Sequence, residues 1–302
     1  MDGFVARGDL IPRERLRSLS ARSDRRGLTR LAGHLAALAC GAALIEAARG
    51  TTWLVPALAL QGVVLIFLFA PLHETIHRTA FRARWLNDTV AWVAGMALVL
   101  PPHYFRLFHF DHHRFTQDPA GDPELARPKP STVPVLLLYV SGWPYWREVV
   151  AGLARHARGR VTEPFIPTGE RAAIVAEARR LIACYVALVA VTLVFDPWLL
   201  PLHWLAPVLL GQPALRFFLL AEHTGCAMVP DMLANTRTTL SNAAVRALTW
   251  NMTYHAEHHL FPGVPCHALP AVHAEVRARL SVVAPGYVAV HRALWAAARR
   301  CA

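Results

Sequence analysis

The chain has 302 residues, 55% of them hydrophobic and 17% charged, with a mean hydropathy of +0.32. Charge is scarcer than the roughly 25% of an ordinary soluble domain, which excludes disorder, collagen and coiled coil and argues against a water-soluble globule. Thirty-one Lys and Arg against 20 Asp and Glu leave a net charge of +11; with this hydropathy, the excess points to an anionic membrane surface rather than nucleic acid.

The N-terminal segment 1–27 mixes arginine with acidic residues and has no early apolar run, so it does not read as a signal peptide. Two apolar stretches follow, Leu28–Ala47 and Trp53–Leu72, and two more lie at Ala178–Phe195 and Trp198–Leu220. A membrane span needs roughly 20 apolar residues. The first, second and fourth stretches meet this; the third relies on Arg179 and Arg180 snorkelling to the interface. The connections Arg49–Thr52 and Asp196–Pro197 are short, which predicts two helical hairpins. Between them, Thr89–Leu100 is too short to cross and reads as re-entrant or interfacial. Val133–Trp146, rich in aromatics, reads as interfacial as well.

Arginine marks the cytoplasmic side. Arg7, Arg13, Arg15, Arg17, Arg22, Arg25, Arg26 and Arg30 precede the first span; Arg78, Arg82, Arg84, Arg106 and Arg114 follow the second; the hairpin loops hold only Arg49. Both termini and the long middle segment are therefore expected in the cytoplasm. The only lysine is Lys129, a bias that suits a GC-rich, bacterial coding sequence. The predicted fold is all-α, a single polytopic membrane domain over 1–302. It divides into the Arg-rich segment 1–27, a hairpin 28–72, a cap segment 73–177, a hairpin 178–220 and a cap segment 221–302.

Histidine is the unusual element of the composition, with 16 residues. Three clusters stand out: His73-Glu74-Thr75-Ile76-His77, His109-Phe110-Asp111-His112-His113 and His255-Ala256-Glu257-His258-His259. Residues three and four apart share a helix face, so His73 and His77 can grip one ion, and His109 can join His112 or His113. The neighbouring histidine of each His-His pair is rotated by about 100° and can serve a second ion. Glu222-His223, just past the fourth span, supplies a further candidate. So many imidazoles beside apolar surface would leave polar atoms unsatisfied unless metal took them up.

Nitrogen donors suit Zn, Cu, Fe or Ni. Eight or nine ligands are too many for one ion, and a structural zinc usually includes cysteine. Cys40, Cys184, Cys226, Cys266 and Cys301 are scattered, with no C-x-x-C pair, so neither a disulfide framework nor a cysteine-zinc site is expected. Two irons fit the count. Glu74, Asp111, Glu222 and Glu257 each lie beside a histidine, and are expected to accept the ligands' second N–H and to offset the metal charge. His34 and His203 are expected to make packing hydrogen bonds, His103 and His156 to be interfacial. His267 and His273 are expected to brace the cap or meet a head group. Arg237 suits either an anionic head group or a structural role.

The order H-x-x-x-H, H-x-x-H-H, H-x-x-H-H resembles the membrane-bound fatty acid desaturase and hydroxylase superfamily. The neighbourhoods are similar too: HHRFTQDPAGDPE at His112–Glu124, NMTYHAEHHLFPGVPCHALPAVH at Asn251–His273, and EHTGC with NTRTT, which resemble a bacterial fatty acid desaturase or hydrocarbon oxygenase branch. The resemblance implies iron ligation by His73, His77, His109, His112, His113, His255, His258 and His259, with His223 as the extra ligand. It implies a four-span stem and a cytosolic helical cap holding a diiron site. It further implies O2-dependent attack on an unactivated C–H bond of a fatty acyl or lipid-like chain, foremost desaturation.

The alternatives are hydroxylation and oxidation of an alkane, carotenoid or other non-acyl substrate. Outside catalysis stand a metal transporter and a metal-binding membrane protein, but their ligands belong at mid-membrane. No electron-carrying motif is present, so ferredoxin or a similar small carrier with its reductase is the expected partner, beside the bilayer and its lipid. Nucleic acid is not expected. The implied location is a bacterial inner membrane, with the site on the cytoplasmic side.

Overall fold

The computed structural model describes residues 10–300; Arg7 and Cys301 lie outside the described residues. A short helix, α1 (Arg13–Leu19), precedes α2 (Asp24–Ala48), whose first turn is capped by Ser23 accepting from the Arg26 amide at 3.3 Å. Twenty-five residues at 1.5 Å each give a helix of about 37 Å, longer than a bilayer's apolar core. Gly50, at φ +74°, turns the chain back within a few residues. The next helices, α3 (Leu54–Ile66) and α4 (Phe69–Ile76), follow one another with a slight break at Phe67–Leu68 and together make one span.

The helix α5 (Arg84–Leu98) ends at Val99 in the left-handed region, φ 55°, and does not cross: its 15 residues reach about 22 Å. It packs on α4, while Trp85 and Val93 face outward. It leads into α6 (Pro102–Phe115), which opens with proline at its first turn. The interfacial stretch forms α7 (Val133–Val140) and α8 (Trp143–Ala157), parted by Gly142 at φ +74°. Val135, Leu137, Leu138, Trp143 and Val150 are exposed there, an apolar face of the kind that lies in a lipid interface.

The third span, α9 (Arg171–Phe195), begins seven residues before the expected Ala178. The added turns carry Glu177, which is buried because it binds the start of α6 rather than water. Arg179 donates to the Ala157 carbonyl and Arg180 lies over the Trp92 ring. The fourth span opens with a π-helical turn, Pro201–Leu205, and runs on as α10 (Ala206–His223), with Pro213 inside it. These four spans are the chain's candidate membrane crossings among the described residues.

Beyond them come α11 (Met232–Asn235), α12 (Ala243–Leu248), α13 (His255–Leu260), α14 (Leu269–Val276) and α15 (Tyr287–Arg300). The expectation of an all-helical fold needs one addition. Two-residue strands β1 (Thr238–Thr239) and β2 (Val283–Ala284) pair in parallel, Thr238 with Val283 and Thr239 with Ala284. A pair this short tacks the C-terminal segment to the chain leading into α13 and leaves the helical architecture intact.

The closest packing is between α3 and α10. Gly62 and Gly211 face each other so tightly that a Cβ on either would overlap the other helix's backbone, the small-residue contact by which membrane helices approach. This pairing ties the second span to the fourth. Span two ends in His73 and His77, span four in His223, and the packing brings both ends together.

Candidate metal centre

The nine histidines converge from four elements. The end of the second span carries His73 and His77, α6 carries His109, His112 and His113, the end of α10 carries His223, and α13 carries His255, His258 and His259. Their donor nitrogens fall into two groups, each within 4.8 Å: His73, His77, His109, His113 and His258 in one; His112, His223, His255 and His259 in the other. Adjacent histidines separate, His112 from His113 and His258 from His259, as the rotation of about 100° between helical neighbours requires. The groups abut where the rings of His113 and His259 stack at 4.1 Å between centroids.

The second group is held from behind, ring by ring. His112 Nδ1–H donates to Asp122 Oδ1 at 2.9 Å. His223 Nδ1–H donates to the Asn235 carbonyl at 3.2 Å. Thr116 gives its hydroxyl proton to the His112 carbonyl at 2.7 Å and therefore accepts from His259 Nδ1–H at 3.1 Å. His255 Nδ1 lies 3.3 Å from Glu222 Oε1, too poorly aligned for a hydrogen bond. The Nε2 atoms point inward: His112 to His223 is 3.2 Å, and His223 to His255 is 3.0 Å. His259 Nε2 is buried without a partner. Outer nitrogens tethered and inner ones crowded together is the arrangement that metal-binding histidines adopt.

In the first group His113 Nε2 lies 2.9 Å from His109 Nε2 and 3.1 Å from His258 Nε2. Both ring nitrogens of His73, Nε2 of His77, and Nδ1 of His113 and His258 are buried and unpartnered. Here rings are placed by aromatic contact: Phe69 with His73, Phe105 with His109 and Phe110 with His77. Burying so many orphaned imidazole nitrogens is costly unless a cation satisfies them. A nitrogen-only donor set of five and four therefore fits a pair of transition-metal ions.

Electrostatics agree. Burial lowers the pKa of His77, His109, His113, His255, His258 and His259 below the ordinary value, helped by the positive field of neighbouring rings. They are neutral at physiological pH, the state in which imidazole binds metal. For His112, burial opposes charge, but Glu124 and Asp122 outweigh it and the pKa rises.

The four expected carboxylates separate. Glu222 stands behind His255. Glu74 is buried and accepts from the Cys266 amide at 2.9 Å, binding the second span to the segment after α13. Asp111 is half-exposed on α6, with no hydrogen bond or ion pair to a site ring among the described residues, because adjacency in a helix turns it away from the face of its neighbours. Glu257 points away from both groups, accepting from Thr238 at 2.5 Å and pairing with His273. Asp122 is the carboxylate that sequence reasoning missed. It lies ten residues after His112, within the stretch HHRFTQDPAGDPE quoted above, and spacing from a histidine on a helix does not reveal a partner delivered by a loop. Thr116 and Asn235 were missed likewise.

Other residues have structural duties. His34 bonds the Val64 carbonyl at 2.9 Å, His203 bonds Glu46 and His156 bonds Glu163. Arg237 donates to the carbonyls of Ala221 and Thr224, closing the end of α10. Trp250 and Asn251 both have positive φ, 50° and 64°, and make the sharp bend before α13.

Comparison with known proteins shows the family. The chain is similar to an sn-1 oleoyl-lipid 12-desaturase of Picosynechococcus sp., 25% identical over 74% of this chain and 69% of that protein. It is similar to the enzyme of the same name from Synechocystis sp., 24% identical over 78% of this chain and 64% of that one. A 57-residue stretch, 19% of this chain and 14% of the other, is 33% identical to a Delta(12) fatty acid desaturase of Mortierella isabellina. The family model described as Fatty acid desaturase matches residues 50–293, from the turn before the second span almost to the C-terminus. All nine histidines fall inside that range, and the chain belongs to the fatty acid desaturase family.

Proposed function

We propose that this chain is an O2-dependent diiron desaturase of fatty acyl chains in membrane lipids. His73, His77, His109, His113 and His258 hold one iron, and His112, His223, His255 and His259 the other. The observation that carries the reading is the pairing of two buried imidazole groups, the second anchored through its outer nitrogens by Asp122, Asn235 and Thr116. The printed names of the relatives, lipid 12-desaturases, support an acyl chain carried by a lipid as the substrate.

Iron supplies the oxidising power that no side chain has, and the protein supplies geometry and surroundings. Reduction of O2 to two waters takes two hydrogens from adjacent carbons, plus two electrons and two protons from outside, and leaves a double bond. Burial keeps His77, His109, His113, His255, His258 and His259 neutral, and hydrogen-bond partners fix the tautomers of His112, His223 and His259. Thr116, Asn235 and Asp122 hold the rings of His259, His223 and His112 against rotation, which matters where positioning decides the product. The electrons come from ferredoxin or a similar small carrier. Phe110 is 38% exposed and touches the ring of the partly exposed His77, with Arg106 over its face; this basic spot is where such a carrier would approach a candidate ligand. In this reading the site lies on the cytoplasmic side of a bacterial inner membrane; the arginine-rich segments before the first span and after the second support that side.

Expression in a bacterial host, with total lipids compared by mass spectrometry, tests the reading. Acyl chains lighter by two hydrogens are expected. Chains heavier by one oxygen would mean hydroxylation, and unchanged acyl lipids in an iron-loaded, correctly inserted protein would overturn an acyl substrate.

A further inference from the structure

A cleft of about 750 Å3 lies between the N-terminal half of α2 and the helix α12, lined by none of the nine clustered histidines. Thr29, Arg30, Gly33, His34 and Ala37 form one wall. Arg26, Arg30, His34 and Ala37 fall on one stripe of α2 at three- and four-residue spacing. Ala243, Ala244, Arg246, Ala247 and Leu248 form the other wall, and Asn251 and His267 close it. Small residues make a smooth apolar slot, and a side chain at Gly33 would meet only open space. Two arginines and two histidines stand among the lining residues, with no carboxylate. Neither Arg30 nor Arg246 has an ion pair among the described residues; Arg246 is steadied by the Ser241 carbonyl.

The cleft sits at the arginine-bearing end of the first span, where a bilayer's head groups give way to chains. We propose that it is a binding site for an anionic glycerophospholipid: Arg30 and Arg246 take the phosphate, and the slot of Gly33, Ala37 and Ala247 takes the start of an acyl chain. Charge complementarity selects the occupant, because an apolar slot alone would accept any lipid, whereas two arginines lining one cleft favour a head group whose phosphate charge is not offset by a cation of its own. The inner wall is joined to the metal-site scaffold. Asn251 donates to the Cys266 carbonyl, and the Cys266 amide donates to Glu74, next to His73.

The test measures binding, not turnover, so its outcome is independent of the desaturase reading. The full-length, metal-loaded protein is placed in phosphatidylcholine nanodiscs, and dioleoylphosphatidylglycerol is titrated against dioleoylphosphatidylcholine, with retained lipid counted by native mass spectrometry. Selective retention of the anionic lipid is expected. Arg30→Gln and Arg246→Gln should each weaken it about fivefold, the worth of one basic residue near anionic lipid. Arg30→Lys should keep much of it, and Arg160→Gln, on an exposed loop, should leave it unchanged. Equal retention of both lipids, or equal loss in Arg160→Gln, would overturn the assignment.

Discussion

A metal-binding imidazole must present one nitrogen and surrender the other, and the partner of the second nitrogen decides how firmly the first is aimed. His112 is the clearest case. Asp122, as buried as the ring it holds, fixes its tautomer and also accepts from the backbone amides of Gln117 and Glu124. Asp122→Asn keeps the shape but loses the charge, and is expected to weaken metal at the second group about 10–100-fold. Chelator competition followed by iron counting measures this, and unaltered retention would remove Asp122 from the support of the centre. Asp111→Asn, by contrast, should leave iron content unchanged, because Asp111 reaches no ring. The contrast shows where the sequence is legible. Eight of the nine histidines announce themselves by spacing, because they sit on helices whose geometry is known in advance, and His223 by its place just past the fourth span. Their supporting atoms do not, because Asp122 arrives on a loop and Asn235 at the end of the one-turn helix α11, and the course of such short segments is set by tertiary contacts. Glu257 looked equivalent to the other carboxylates and is turned toward His273 by the strand-like stretch that supplies Thr238.

Each histidine-bearing helix must also be held in place, and α6 carries three of the nine. Its N-terminus has no side-chain cap of its own, since Pro101 and Pro102 occupy the first positions. The cap comes from span three instead: Glu177 accepts from the His103 amide at 2.8 Å and the Tyr104 amide at 3.1 Å. These are the donors that an ordinary capping residue would satisfy, and the carboxylate also meets the positive end of the helix dipole. Glu177→Gln leaves one acceptor for two amides and should destabilise the protein by about 1–3 kcal/mol. Lower thermal stability and reduced iron content are expected together; unchanged stability would show the cap to be dispensable. A second contact of this kind lies at Gly62 and Gly211. Gly211→Val would drive its side chain into the Gly62 carbonyl. A cost of about 1–3 kcal/mol, with loss of the alignment between His73 and His223, should appear as poor recovery of folded, iron-bearing protein in detergent; normal recovery would refute the close-contact argument. The spans themselves were readable from hydropathy, because length and composition govern insertion. The early start of span three was not, since a charged Glu177 inside it makes sense only once α6 is seen docking there.

At the scale of the whole molecule, the two halves share one centre, and that constrains the topology. His73 and His77 end span two, His223 ends span four, and α6 and α13 contribute from the segments between and after. All must lie on one side of the membrane, so α5 cannot cross between the first two histidine clusters, and its reach of about 22 Å agrees. The outward faces fit the same picture. Leu35, Leu44, Val186, Val189 and Leu193 are exposed along spans one and three, as lipid-facing residues of a stem should be. Which side holds the centre follows from arginine counts, and that step can be checked directly. In a background with the native cysteines replaced, Thr51→Cys places a thiol in the first hairpin loop and Ala278→Cys places one in the exposed segment after α14. A membrane-impermeant maleimide should label Thr51→Cys in intact spheroplasts and Ala278→Cys only in inside-out vesicles. The reverse pattern would move the metal centre to the outer face, out of reach of a cytoplasmic electron carrier. Labelling of both from one side would mean that an even number of the three spans between them cross, and the four-span stem would be overturned.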